Sequence, residues 1–142
     1  MNSQALQQLL ALAEREENLA AQQLAEARRL AEACRAQLDD LVAYRGRPAH
    51  HAGSLVSAAH FAQAGRFLDH VDEALRLQAE RLRELDRRVH DCERNWSRLR
   101  GERRALEKLL ENERAAALAD ERRREQRVTD EAAAQAWARG SR

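Results

Sequence analysis

Apolar or small side chains return every third or fourth residue through the first part of the chain. The series is Leu6, Leu10, Ala13, Glu17, Ala20, Leu24, Ala27, Ala31, Cys34, Leu38 and Leu41, with Glu17 its one charged member. Steps alternating between three and four keep one face of an α-helix turned towards a partner. Sustained this long, they form the heptad seam of a coiled coil. The pattern predicts a helix over about residues 4–45, with Ser3 as its candidate N-cap. It resumes at Leu68 and continues through Val71, Leu75, Gln78, Leu82, Leu85, Val89, Cys92, Trp96, Leu99, Arg103, Leu106, Leu110, Glu113 and Ala117, thinning after Leu110. A second helix is therefore predicted over about residues 55–137. Ser54 or Ser57 can cap it, and Gly65 lies inside it at a cost of ~1 kcal/mol.

Between the two seams lies Tyr44–Gly53, with the only proline, Pro48, and the glycines Gly46 and Gly53. Proline has no backbone N–H and its ring clashes with the preceding turn. Residues 46–53 therefore read as a link at which the chain reverses, and a short link joins antiparallel neighbours. The fold class expected is all-α: one domain over residues 1–142, an antiparallel two-helix coiled coil (a long α-hairpin) with the second helix longer than the first. If the reversal is centred near His51, Leu41 meets Phe61, Leu24 meets Gln78 and Leu6 meets Trp96. The first helix then runs out opposite Gly101. On that register Leu106, Leu109 and Leu110 form an apolar stripe that nothing in the chain covers, and a clustered stripe marks an interaction site.

Composition agrees with an extended coiled coil. The chain is 35% charged and 44% hydrophobic but only 4% aromatic, and much of the hydrophobic share is alanine, which suits helices better than a broad globular core. The 25 basic and 24 acidic residues leave a formal charge of +1. There is thus no bulk attraction for nucleic acid or an anionic membrane. Almost all the positive charge is arginine, with Lys108 the single lysine, and acids are interleaved throughout. The run Arg122-Arg123-Arg124 with Arg127 sits among Asp120, Glu121, Glu125, Asp130 and Glu131, which reads as a solvated, ion-paired helix face. No apolar run reaches the ~20 residues of a membrane span. The N-terminal stretch lacks the basic region of a signal peptide, which fits a cytoplasmic protein.

Candidate chemistry is sparse. No phosphate-binding glycine loop, dinucleotide turn or paired-cysteine zinc pattern is present. His50 and His51 supply two adjacent imidazoles, too few to close a metal shell, while His60, His70 and His90 fall on solvated helix faces. On the register above Cys34 and Cys92 lie ~36 Å apart along the helices, so they read as free, buried thiols. A pair of helices encloses no pocket that excludes water. The chain reads as a non-enzyme with no metal and no cofactor. Phe67, Val71, Ala74 and Gln78 follow 4,3,4 spacing and share a helix face. Part of that face flanks the seam, as either a widened core edge or a patch for a partner.

Taken in order, these residues resemble the FliJ family, small coiled-coil components of the bacterial flagellar type III export apparatus. The resemblance is carried by Leu6-x-x-Leu9-Leu10-x-Leu12-Ala13-Glu14-x-x-Glu17, by Ala20-Ala21 with Leu24, and by Leu41 with Tyr44-Arg45 before the link. After the link it is carried by Phe67-Leu68 with Val71 and Ala74, then Trp96, then Arg104-Ala105-Leu106-Glu107-Lys108-Leu109, and finally Gln126, Asp130-Glu131 and Ala133. It covers nearly the whole chain. The resemblance implies a stalk like that of rotary ATPases, bound by its terminal end to the export ATPase FliI and docked on the export gate protein FlhA. It also implies an escort role for flagellar export chaperones, and a place on the cytoplasmic face of the inner membrane through that apparatus. The family's gate-binding Phe, aliphatic, Ala and His fall on Phe67, Val71, Ala74 and Gln78, with Gln78 in place of the His. Leu106, Leu109 and Leu110 are the residues expected to meet the ATPase. The equivalent stalk of a virulence secretion system and a generic dimerising scaffold share this architecture.

Overall fold

A computed structural model describes residues 2–47 and 57–141. It holds two α-helices, α1 over Ser3–Arg45 and α2 over Ala58–Gly140, with no strand among the described residues. The helices are antiparallel and pack on each other, and α2 is the longer. The chain divides into two compact units: Met1–Glu17 with Arg98–Arg142, and Asn18–Ser97. Each helix contributes a segment to each unit.

The helix ends follow local chemistry. The side-chain oxygen of Asn2 accepts the Gln4 backbone N–H at 3.1 Å, so Asn2 is the cap of α1 and Ser3 its first helical residue. An asparagine oxygen there satisfies one of the N–H groups that a helix start leaves without a carbonyl. Ser57 caps α2: its Oγ accepts the His60 backbone N–H at 3.2 Å and lies 2.7 Å from the His60 ring Nδ1. At the far end of α1, the Gly46 N–H still reaches the Val42 carbonyl at 3.0 Å. Arg47 then turns back to the Tyr44 carbonyl at 3.2 Å. Pro48, His50, His51, Gly53 and Ser54, and with them most of the expected 46–53 link, lie outside the described residues.

All eleven seam positions of α1 are buried or half-buried, and along α2 the seam is covered from Val71 to Glu113. The seam alanines of α1, Ala13, Ala20, Ala27 and Ala31, are among the most deeply covered residues, whereas the larger side chains of α2 are mostly half-buried. A methyl group brings the helix axes close, and the longer side chains then lie across the alanine surface. In the Asn18–Ser97 unit, Leu24, Ala27 and Cys92 form a core on which Val89 and Trp96 pack.

The register differs from the one expected. In the Asn18–Ser97 unit, Arg28 pairs with Glu93 at 3.1 Å, Arg35 with Asp86 at 3.3 Å and Arg45 with Asp72 at 2.8 Å. In the other unit Glu17 pairs with Arg103. Leu24 thus meets Cys92, not Gln78. Gln78 lies instead beside Cys34 and Gln37, and Trp96 packs near Leu24 rather than Leu6. The pairs centre near residue 60 rather than His51. The physical cause is polar matching: this register sets the one acid of the α1 seam against the one cation of the α2 seam, and arginines on one edge of α1 against acids on α2.

Candidate interaction surfaces

The Asn18–Ser97 unit carries the Phe67 face. α2 starts before α1 can cover it, so Ser57 to His70 are all exposed and Val71 is the first buried residue. The four residues of the face therefore do not share one environment. Phe67 is 49% exposed and meets the Tyr44 ring edge-on, with centroids 6.0 Å apart. Val71 is 8% exposed and belongs to the seam. Ala74 and Gln78 are half-buried. The Gln78 amide donates to Gln37 Oε1 at 3.3 Å, and its own oxygen lies 3.5 Å from the Cys34 thiol. Beside Ala74 and Gln78 runs an open groove of about 700 Å³, lined also by Gln37, Leu77, Glu80, Arg81 and Glu84. Sequence reasoning missed this groove. Gln37 comes from the other helix, and only the correct register brings it to Gln78.

The unit formed by Met1–Glu17 and Arg98–Arg142 carries the leucines. Glu17 and Arg103 pair within the seam, and Arg103 holds Glu107 as well at 2.7 Å. The Arg103 guanidinium is pushed above its ordinary pKa, first by the hydrogen bond to Glu17 and then by that to Glu107. Each step back along α1 from Glu17 is a step on along α2 from Arg103, so Leu10 falls beside Leu110. Accordingly Leu110 is 5% exposed, Leu106 is half-buried, and only Leu109, at 51%, faces solvent. The expected bare stripe of three leucines is thus corrected. α1 does not run out opposite Gly101, and two of the three leucines are seam residues.

The uncovered stretch lies further on. The same register sets Ser3 beside Ala117, and from Asp120 to Ser141 every residue is exposed while α2 stays helical to Gly140. Leu118, just before it, and Val128 and Trp137 within it are exposed large apolar residues. At 3.6 residues per turn, Val128 and Trp137 stand roughly 80° and 100° to either side of Leu118 around the helix axis. They form no stripe, which is why a search for heptad spacing passed over them. The arginine run is laced locally, with Arg123 on Asp120 at 3.3 Å and Gln126 on Asp130 at 3.0 Å.

Among the described residues no group of histidine, cysteine and acidic side chains is arranged to hold a metal, and no helix is long and apolar enough to cross a membrane. What the geometry offers is surface: a flank with an aromatic and a groove, and a helical end with no partner in its own unit. This is a two-helix coiled-coil protein. The profile of the family described as Flagellar FliJ protein matches residues 2–142. The chain belongs to that family and is a component of the flagellar export apparatus. No curated protein matches it.

Proposed function

We propose that the chain is a non-enzymatic stalk and adaptor within that apparatus. Its free helical end binds the hexameric export ATPase FliI, its Phe67 flank docks on the export gate protein FlhA, and it escorts flagellar export chaperones. It would sit on the cytoplasmic face of the inner membrane by holding to that assembly.

One observation carries the reading. Beyond Ala119 the end of α2 is helical and exposed on every side, and Leu118 just before it, Val128 and Trp137 set apolar anchors on three different faces. A neighbouring helix lying along it would touch one anchor and leave two in water. A partner that encloses the helix, as the opening of a ring does, covers all three, and buried aromatic and aliphatic anchors dominate binding. Leu109 is the one residue of the expected leucine set that reaches such a partner directly, while Leu106 and Leu110 support it from the seam.

The test is a pull-down of purified FliI with the full chain, alongside Leu118→Ser/Val128→Ser/Trp137→Ser and Leu109→Ser. The triple variant should lose ATPase retention and keep its helical circular dichroism, and Leu109→Ser should weaken retention. Full retention by the triple variant would remove the free helical end from the ATPase contact.

A further inference from the structure

The Asn18–Ser97 unit shares its charges unevenly between the two helices. On α1 the arginines of this unit, Arg28, Arg29, Arg35 and Arg45, each hold an acid. Glu32, Asp39 and Asp40 are exposed and make no ion pair among the described residues. On α2 the position is reversed. Arg76 takes Glu73 and Glu80, while Asp86 and Glu93 are drawn across to Arg35 and Arg28. Arg83, Arg87 and Arg94 are exposed and, among the described residues, unpaired.

The leftover charges are also ordered in space. At 3.6 residues per turn, Glu32, Ala36 and Asp39 lie within about 60° of one another around α1, turned away from the seam residues Ala31, Cys34 and Leu38. Arg83, Arg87, His90 and Arg94 are grouped as closely around α2, turned away from Leu82, Leu85 and Val89. No carboxylate lies inside that arginine row. Its unpaired acidic neighbours, Glu84 and Asp91, stand to one side, roughly 70–90° round the helix, towards the equally unpaired Arg81 and Arg88. A broad polyanion such as nucleic acid or an anionic membrane would meet those two acids as well. A single row of carboxylates would not.

The chain carries such a row itself. Along α1 the steps are four from Glu32 to Ala36 and three on to Asp39; back along α2 they are four from Arg94 to His90 and three on to Arg87. Set antiparallel, Glu32 meets Arg94 and Asp39 meets Arg87, each pair of charges spaced about 10.5 Å along its helix, and the small Ala36 leaves room for His90. Within one molecule the two rows face away from the shared seam and cannot meet. We propose that they join copies of the chain, the outer face of α1 in one copy against the outer face of α2 in the next. Each copy then keeps one row free, so the contact is heterologous and open-ended. Exposed ion pairs are individually weak and are screened by salt, so the assembly grows with concentration and comes apart as salt rises. It uses neither the free helical end nor the Phe67 flank, and so goes beyond the reading above.

The experiment is sedimentation velocity of the full chain over a wide concentration range, at low and at high salt. At low salt the wild type should sediment faster as its concentration rises, and at high salt it should run as a monomer. Arg87→Glu/Arg94→Glu and Glu32→Arg/Asp39→Arg should each weaken association by about tenfold or more, since two attractions become repulsions. An equimolar mixture of these two variants should restore it. Arg81→Glu/Arg88→Glu makes the same change in net charge beside the row and should associate like the wild type. Each variant is first checked for native helicity, which should hold because the substituted side chains have no ion pair to lose among the described residues. A wild type that stays monomeric at low salt overturns the proposal, as does a mixture that stays monomeric. Association that survives high salt or Arg87→Glu/Arg94→Glu would move the contact to apolar residues such as those of the free helical end. Equal loss in Arg81→Glu/Arg88→Glu would reduce the effect to net charge and remove the row.

Discussion

Arg103 occupies a position where the heptad pattern asks for an apolar side chain, and Glu17 does the same on the facing helix. Each exception is explained by the other. A mostly covered ion pair adds little net stability, because both charges lose water, but removing one partner leaves the other charge stranded. Arg103→Leu should therefore lower the thermal midpoint, while Glu17→Leu/Arg103→Leu should recover it or raise it above wild type in the same melt. A contrast two residues wide tests the seam beside this pair. Leu110→Ala removes a buried side chain and should cost about 2–5 kcal/mol in denaturant unfolding, whereas the exposed neighbour Leu109→Ala should stay within about 0.5 kcal/mol. Equal costs would mean that α1 does not cover Leu110. At this scale the sequence is informative: the spacing identified all eleven buried or half-buried seam positions of α1. It also flagged Glu17 as the exception but did not join it to Arg103, since helical periodicity says nothing about which residues face each other across two helices.

The helices themselves are nearly saturated with local signals, and their ends were legible to within a few residues. Asn2 and Ser57 end them as cap chemistry requires. Ser57→Ala should weaken the first turn of α2 by about 1 kcal/mol, read as faster amide exchange over Ala58–Phe61. Gly101 lies inside α2, and a Cβ placed on it meets nothing within 4 Å. Gly101→Ala should therefore stabilise the protein by about 0.5–1 kcal/mol, through a less flexible unfolded chain and better helix propensity. Acid should act on the helices in a definite direction. Hydrogen bonds from Arg29 and Arg76 hold the Glu26 and Glu73 carboxyls below the usual range. Their contribution is fully present above the ordinary glutamate value of about 4.3 and is lost as pH falls through the lowered folded values. Helicity followed by circular dichroism should accordingly begin to decline on the acid side as these two local pairs are lost. The groove was not legible at this level, because Leu77 alone looks like any exposed leucine and Gln37 like any surface glutamine.

Register belongs to the scale of the whole chain, and there the sequence misled. Glycine and proline mark where α1 stops but not where α2 begins to pair. Placing the reversal near His51 slid the helices by more than two heptads, and a slip that carries seam positions onto other seam positions leaves apolar faces against apolar faces. The discriminating information lies in the few positions where a slip is costly: Glu17 against Arg103, and the edge arginines Arg28 and Arg35 against Glu93 and Asp86. Crosslinking tests this within the Asn18–Ser97 unit. Cys34 and Cys92 are free and buried, so both are first replaced by alanine. Cysteines are then placed as the pairs Arg28→Cys/Glu93→Cys and Leu24→Cys/Gln78→Cys, and each protein is treated with a short bismaleimide at low concentration. The first pair replaces partners in direct contact and should close a loop visible as a mobility shift under denaturing electrophoresis. In the second pair, Leu24 sits against Cys92, and Gln78 lies fourteen residues, or about 21 Å, away along α2. That is beyond the reagent, so no shift should appear. Efficient closure of the second pair and none of the first would restore the earlier register. It would uncover the leucines at 106 to 110, lengthening the free helical end, and it would separate Gln37 from Gln78, so the groove would lose its basis in a single measurement.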